Sequence, residues 1–230
     1  MKKKLVVLTG AGISAESGIR TFRDSDGLWN EYRVEDVATP EGFERNPELV
    51  LNFYNDMRKE HQLHQPNYGH IGLKELESDF DVRIVTQNID DLHERAGSKS
   101  VLHLHGELMK VRSVRNPNLV TTLTDDACEI HLGDKASDGA QLRPDIVWFG
   151  EAVPNFEPAV ELAQQADIFL IVGTSLNVYP AAGLINYVPY ETPIYIIDPK
   201  TVPVPSTRKI TMIQKGASEG MKDFIKMVKA

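Results

Sequence analysis

Apolar positions along the chain follow two rhythms. Short runs rich in Val and Ile, at residues 5–8, 82–86, 146–149, 168–172, 194–197 and 210–213, read as buried strands, with a shorter one at 100–104. Between them, apolar residues recur three and four apart, which predicts helices over 47–65, 70–76, 158–166 and 218–228. The helix at 47–65 carries its own start signal, with Asn46 as N-cap and Pro47 in the first position. Leu49, Phe53 and Met57 form its core stripe, and Val50, Tyr54 and Arg58 the adjacent one. Strands alternating with helices imply an α/β fold, a doubly wound Rossmann-like parallel sheet. From 108 to 143 the periodicity fades and Asn, Asp, Thr and Gly accumulate, which marks a smaller inserted module. The expected division is one domain with a large part at about 1–29, 66–107 and 144–230, and a small module at about 30–65 and 108–143.

Ligands of such a sheet bind beyond the carboxyl ends of its strands. Five polar clusters follow strands directly: Gly10-Ala11-Gly12, Gln87-Asn88-Ile89-Asp90, His105-Gly106, Gly173-Thr174-Ser175 and Asp198. The first, continued to Ala15, is the glycine pattern of a dinucleotide-binding turn. Gly10 would permit the tight turn, Gly12 would admit a pyrophosphate, and Ala15 would let a following helix pack closely, its N-terminal N–H groups facing the phosphates. In a nicotinamide dehydrogenase a second strand then ends in an acidic residue that binds the ribose. Here residues 21–29 are polar and glycine-broken, and Glu31, Glu35 and Asp36 have no strand to sit on. The context of a hydride-transfer site is absent, and a dehydrogenase is the least favoured reading.

A formal charge of −8 argues against a nucleic-acid backbone as the main partner. Cys128 is the single cysteine, so no intrachain disulfide forms and a reducing, cytoplasmic setting is expected. The apolar run after Lys2-Lys3-Lys4 is too short for a secretory signal, and no stretch approaches membrane-spanning length. A monomer is favoured, although no motif bears on oligomeric state.

Of the seven histidines, His61, His64, His70, His93 and His131 fall on helices or loops and read as surface or structural residues. His103 and His105 share one strand face. His105 sits where the strand exits, at the active edge of the sheet, and is the candidate general base. His103 better suits a buried histidine bonded to a backbone carbonyl. Gln87, Asn88 and Asp90 offer the neutral donors and acceptors that a carboxamide needs, or else they close the strand in an Asx-turn. Thr174 and Ser175 could hold ribose hydroxyls or phosphate, or cap the next helix.

Taken together, Gly10-Ala11-Gly12-Ile13-Ser14, Gly18-Ile19-Arg20-Thr21-Phe22-Arg23, Gln87-Asn88-Ile89-Asp90, His105-Gly106-Glu107-Leu108, Trp148-Phe149-Gly150-Glu151 and Gly173-Thr174-Ser175 closely resemble the sirtuins, NAD-dependent protein lysine deacylases. The likeness runs from Leu5 to the C-terminal helix in motif order, and is nearest to the bacterial branch related to desuccinylating and demalonylating enzymes. It implies that Gly10, Ala11, Gly12, Ile13, Glu16, Thr21, Phe22, Arg23 and Trp29 hold the pyrophosphate of NAD and cover its nicotinamide ribose. Gln87, Asn88, Ile89 and Asp90 would orient nicotinamide and its ribose, with Asn88 and His105 catalytic. Gly173, Thr174 and Ser175 would meet the adenosine ribose and phosphate, and Ala217 the adenine. Val147, Trp148, Phe149, Gly150 and Glu151 would sandwich an acyl-lysine peptide against Val178 by strand addition. The implied reaction joins the acyl oxygen to the ribose, releases nicotinamide, and ends in free lysine and O-acyl-ADP-ribose. Protein ADP-ribosylation and a non-catalytic NAD or ADP-ribose sensor are the alternatives, the latter disfavoured by His105 and Asn88.

The chain departs from the resemblance at three places. The family usually carries two cysteine pairs for a structural zinc; here the first position is Ser113 and only Cys128 remains, so no zinc is expected. Relatives that remove acidic acyl groups pair a tyrosine with an arginine three residues on, near a small alanine. Ala38 and Tyr54 match, Met57 takes the arginine position, and Arg58 follows, either reaching a succinyl carboxylate from i+4 or facing solvent. The balance leans slightly to acidic-acyl activity beside acetyl. Finally, Ile196 stands where relatives present an asparagine to the adenosine ribose, with Asp198 as its replacement.

Overall fold

The computed structural model describes residues 2–20, 32–204 and 208–229. In chain order its elements are β1 (Lys4–Thr9), α1 (Val34–Val37), α2 (Pro40–Arg45), α3 (Pro47–His61), α4 (Tyr68–Leu76), β2 (Asp81–Thr86), α5 (Leu92–Arg95), β3 (Val101–His103) and β4 (Gly106–Ser113). They continue with β5 (Val120–Thr122), β6 (Leu142–Ile146), α6 (Phe156–Gln164), β7 (Ile168–Val172), β8 (Ile194–Ile197), β9 (Ile210–Ile213) and α7 (Ala217–Lys229). Six strands form an all-parallel sheet in the order β3-β2-β1-β7-β8-β9. This is the doubly wound arrangement, and its strand order reverses between β1 and β7, where such folds bind ligands. A separate antiparallel sheet, β5-β4-β6, carries the small module beside α1–α3.

Alternation along β1 builds the two layers. Leu5 and Val7 face Leu73, Leu76, Met221 and Phe224 of α4 and α7. Val6 and Leu8 face Ala159 and Ala163 of α6 and Leu184 of a 3-10 helix at Ala181–Tyr187. All five residues of β7 are buried, as expected for a central strand covered on both faces. Asn46 caps α3 by accepting a hydrogen bond from the Leu49 N–H, with Pro47 next. No helix among the described residues is long and apolar enough to cross a membrane.

Two sequence expectations are corrected. The apolar run at 146–149 is not a strand of the main sheet: β6 ends at Ile146 and belongs to the small sheet. Beyond it the Trp148 N–H bonds to the Glu151 carboxylate and the Phe149 N–H to the Ala38 carbonyl, so the chain leaves the ladder. Nor does an α-helix follow β1. Two single 3-10 turns, Ala11–Ile13 and Ala15–Ser17, stand there instead, because the chain bends inward to bury Ser14. Ala15 is consequently exposed and packs no helix against the sheet.

Candidate active site

The turns after β1 and β7 pack backbone on backbone at the reversal point. Gly10 N–H donates to the Val172 carbonyl at 3.1 Å, and Gly12 N–H to the Gly173 carbonyl at 2.9 Å. A Cβ on Gly12 would lie 2.7 Å from Gly173 Cα, and Gly173 itself has φ +63°. Gly10 is extended at φ −134°, so closeness to Gly173 and Thr174 requires glycine there, and tight turning does not. Gly106, at φ +83°, reverses the chain from β3 into β4; a Cβ there would overlap the Asp145 carbonyl. That reversal leaves His105 at the mouth of the sheet.

Around these turns opens a cleft of about 580 Å³. Gly10, Ala11, Gly12, Glu16, Gly173, Thr174 and Ser175 line its floor, with Asp198 and Ala217 at one end. Gln87, Asn88, Ile89 and His105 form its middle. Ala38, Tyr54 and Val147 to Glu151 form one wall, with Val178 opposite. Ile13 is buried under the turn and does not reach the cleft. Asp90 lies in an adjoining hollow with Ser14, Asn88 and Ile89. Thr21, Phe22, Arg23 and Trp29 lie outside the described residues.

His105 is half-buried, its Nδ1 bonded to the Gln87 carbonyl at 3.0 Å. A carbonyl accepts only, so Nδ1 carries the proton and Nε2 is left as the basic nitrogen. Burial holds its pKa below the ordinary value, against the pull of the Gln87 carbonyl, so the ring is neutral at neutral pH. His103 differs on both nitrogens: Nδ1 meets the Asn88 carbonyl at 2.9 Å, and Nε2 the Glu94 carboxylate at 3.0 Å. Burial opposes charge on it, yet Glu94 prevails and raises its pKa. His103 is thus a strut for the Asn88 backbone.

Ser14, which only its place in the motif pointed to, ties the middle of the site together. Its hydroxyl donates to Asp90 Oδ2 at 2.9 Å and accepts from Asn88 Nδ2 at 3.1 Å. Asp90 is buried, which raises its pKa against the Ser14 hydroxyl and the Leu92 N–H. Gln87 Nε2 donates to Thr174 Oγ1 at 3.1 Å, joining the β2 and β7 loops. Glu16 Oε1 accepts from the Ser218 N–H at 3.3 Å, fastening the first turn to α7. Asp198, at the end of β8, accepts from the Lys200 N–H while lining the cleft.

On the opposite wall, Trp148 Nε1 donates to the Tyr54 hydroxyl at 3.0 Å, and Val147 N–H to the His105 carbonyl at 2.9 Å. Met57 reaches the cleft, whereas Arg58 lines neither it nor the hollow. Arg58 is wholly buried; Nε donates to the Leu108 carbonyl at 2.7 Å and one terminal nitrogen to Asn55 Oδ1 at 2.9 Å. Burial lowers its pKa to about 10, so it stays charged. Both expectations for Arg58, a solvent-facing side chain and a ligand for an acyl carboxylate, are corrected by this burial.

The cleft fits a dinucleotide. Its volume falls within the roughly 300–1,000 Å³ of small-molecule and cofactor sites, and amides, hydroxyls and carboxylates that could pair with carboxamide and ribose groups line it. A zinc ion finds no such fit. The Ser113 hydroxyl is committed to Asp138 at 2.7 Å and to two backbone N–H groups, and Cys128 is buried and free. Among the described residues no group of three or more His, Cys, Asp or Glu gathers as metal ligands.

Fold and site together define an α/β enzyme architecture with a nucleotide cleft between two sheets. The Sir2 family model matches residues 10–180, and the chain belongs to that family, the sirtuins. It is 59% identical over 225 residues to a Bacteroides thetaiotaomicron protein named NAD-dependent protein deacylase, covering 96% of each chain. It is 51% identical over 223 residues to a Helicobacter pylori protein of the same name, covering 97% of this chain and 96% of the other. A solved Sir2 homologue in complex with NAD superposes with a TM-score of 0.87 at 38% identity, over 99% of this chain and 90% of that one. A Sir2 homologue variant bound to ADP-ribose gives 0.90 at 39%, over 99% and 92%.

Proposed function

We propose that the protein is an NAD-dependent protein-lysine deacylase that transfers the acyl group to ADP-ribose and releases nicotinamide. The carrying observation is the neutral imidazole of His105, its Nε2 free to take a proton, in the cleft between the glycine corner and the wall of Tyr54 and Trp148. NAD, as co-substrate, supplies the ribose carbon that receives the acyl oxygen. Asn88 and Asp90, fixed through Ser14, orient the nicotinamide end; Thr174, Ser175 and Asp198 hold the adenosine end. His105 takes the proton of a ribose hydroxyl, its charge stabilised by the Gln87 carbonyl at Nδ1. The acyl-lysine peptide enters on the far side, between the Val147–Glu151 segment and Val178.

Ala38, Phe53, Tyr54, Met57, Ile146 and Trp148 form an apolar wall for the acyl group. With Arg58 withdrawn into the module, this wall favours a neutral acyl such as acetyl over succinyl or malonyl. One cysteine and no cysteine pair support a reducing, cytoplasmic setting. The test is nicotinamide release from NAD with acetyl-, succinyl- and malonyl-lysine peptides. Wild type is expected to release nicotinamide in step with free lysine, and His105→Ala to be slower by about 10²–10⁴-fold. Near-normal deacylation by that variant would remove His105 as the base.

A further inference from the structure

The wall of the cleft that faces the peptide is a loop, and one ion pair beneath it fixes its shape. Arg143, on β6 and almost wholly buried, donates from its two terminal nitrogens to both oxygens of Glu151, at 2.7 and 3.0 Å. The same guanidinium lies 3.4 Å from the centre of the Trp148 ring and donates to the Ile146 carbonyl at 2.9 Å. Glu151 in turn accepts from the Trp148 N–H at 2.8 Å, while its own N–H donates to the Trp148 carbonyl. Arg112 adds a second, longer contact to Glu151 at 3.4 Å. Trp148 is therefore held on its ring face by Arg143, on its backbone by Glu151, and on its indole nitrogen by Tyr54.

We infer that Arg143 and Glu151 are positioning residues for the acyl-lysine substrate, acting through Trp148. This rests on the deacylase reading. The pair sets the plane of the indole that walls the acyl group and holds the loop against which the peptide backbone would align. The loop also reaches the base, since the Val147 N–H donates to the His105 carbonyl. These hydrogen bonds and ion pairs of Arg143 and Glu151 fall on residues 143–151 and Arg112, and none joins the glycine turns, so the effect is expected on the peptide more than on the nucleotide. A guanidinium is needed for this, because its flat face stacks on the ring while its edge pairs bidentately, which an ammonium cannot do. Burial alone would raise the pKa of Glu151, but Arg143 and the Trp148 N–H overrule it and hold it low, so the pair stays ionised through the neutral range.

The test compares wild type with Glu151→Gln, Arg143→Met and Arg143→Lys in steady-state deacylation of an acetyl-lysine peptide with NAD. Each variant is expected to raise KM for the peptide by about tenfold or more, with kcat and KM for NAD within about twofold, as for loss of binding that is uniform along the reaction. Arg143→Lys is expected to rescue little. Trp148 emission, read in a Trp29→Phe background used for fluorescence only, is expected to shift to the red as the indole loosens. An unchanged peptide KM in folded variants would overturn the inference. So would a fall in apparent kcat that tracks lost folded protein while both KM values stay unchanged, since a merely structural role predicts that. If Arg143→Met fails to fold, Glu151→Gln decides alone, because it keeps an acceptor for the Trp148 N–H. Absence of wild-type turnover with every acyl peptide would sink the deacylase reading instead. In that case the emission arm still decides the pair: an unshifted Trp148 in Glu151→Gln overturns it.

Discussion

In the parallel sheet, β7 buries five residues and every one is apolar, whereas the small module buries Asn55, Arg58, Ser113 and Arg143. The large half has enough strands and helices to bury continuous hydrocarbon on both faces, at about 1.5–3 kcal/mol per large side chain. The small sheet has three strands, and its second apolar cluster is built on only Leu51, Val111 and Ile130. Hydrogen bonds between buried side chains and the backbone of distant segments add to this. Asn55 clasps Ile130 by both N–H and carbonyl, and Arg58 holds the Leu108 carbonyl. Small layers thus add a few polar cross-links to their limited apolar burial, each costly to break because its partner is left unpaired.

Arg58→Ala breaks that comparison most directly. Losing the side chain orphans the Leu108 carbonyl and leaves a cavity, at a cost of about 3 kcal/mol or more. At roughly 2–4 °C per kcal/mol for a chain of this size, the midpoint of thermal unfolding should fall by about 6 °C or more. The ratio of acetyl to succinyl turnover should not move in the fraction that stays folded. A variant as stable as wild type, with altered acyl preference, would return Arg58 to the substrate.

The large half has a polar weakness of its own, beneath the cleft. His70 and His93 are buried edge to face at 4.9 Å, bonded to Ser14 at 3.4 Å and to Thr9 at 3.0 Å. Burial pushes His70 down to about 4 and His93 well below its ordinary value, so both are neutral when folded. The unfolded chain takes up these protons near pH 6.5 and the folded one does not, so stability present above that pH is lost as pH falls. Between about 6.5 and 4, His70 alone accounts for about 3 kcal/mol. His103 and Asp90, both raised, have the opposite sign and temper the loss. Denaturant midpoints at pH 7 and pH 5 should therefore converge in His70→Asn relative to wild type; equal pH slopes in the two proteins would refute this.

These contrasts also mark what the sequence could convey. The strands at β1 and β7 were legible because burial on both faces leaves near-unbroken apolar runs, and β8 and the edge strand β9 because three of four residues in each are apolar. That His105 rather than His103 lines the cleft was legible from its position at the strand exit before Gly106, where periodicity alone could not choose. Arg58 was not, since its partner carbonyl at Leu108 comes from another segment and no local spacing encodes that meeting. The run at 146–149 misled for a related reason: Trp148 is apolar because it walls a cleft, and Phe149 is exposed at 46%, so neither marks a sheet. The turn after β1 followed the dinucleotide pattern in residues but not in helix, because burying Ser14 against Asp90 and Asn88 takes precedence over continuing the coil.

A smaller effect sharpens the boundary between the halves, where α3 meets the cleft. Met57→Arg would place a cation on the apolar acyl wall, one residue from the buried Arg58. A charge-assisted contact to a carboxylate is worth about 1.5–3 kcal/mol, so succinyl-peptide kcat/KM should rise about tenfold relative to acetyl. An unmoved ratio would mean that the acyl group lies elsewhere on the wall.

The smallest expected effect bears on what replaces a metal in the small module. In the position where the resemblance implies a zinc cysteine, Ser113 spends its hydroxyl on Asp138 and receives the N–H groups of Arg115 and Asn116. These bonds close the turn at residues 113–116 from inside the chain, without a deprotonated thiol. A structural zinc site would make folding depend on the ion, because its binding energy is folding energy. Dialysis against a strong chelator should therefore leave both the unfolding midpoint and deacylation unchanged, while Ser113→Ala should lower the unfolding free energy by about 1 kcal/mol through the orphaned N–H groups. A midpoint that falls on chelation and recovers with added zinc would show that the hydrogen bonds around Ser113 do not suffice.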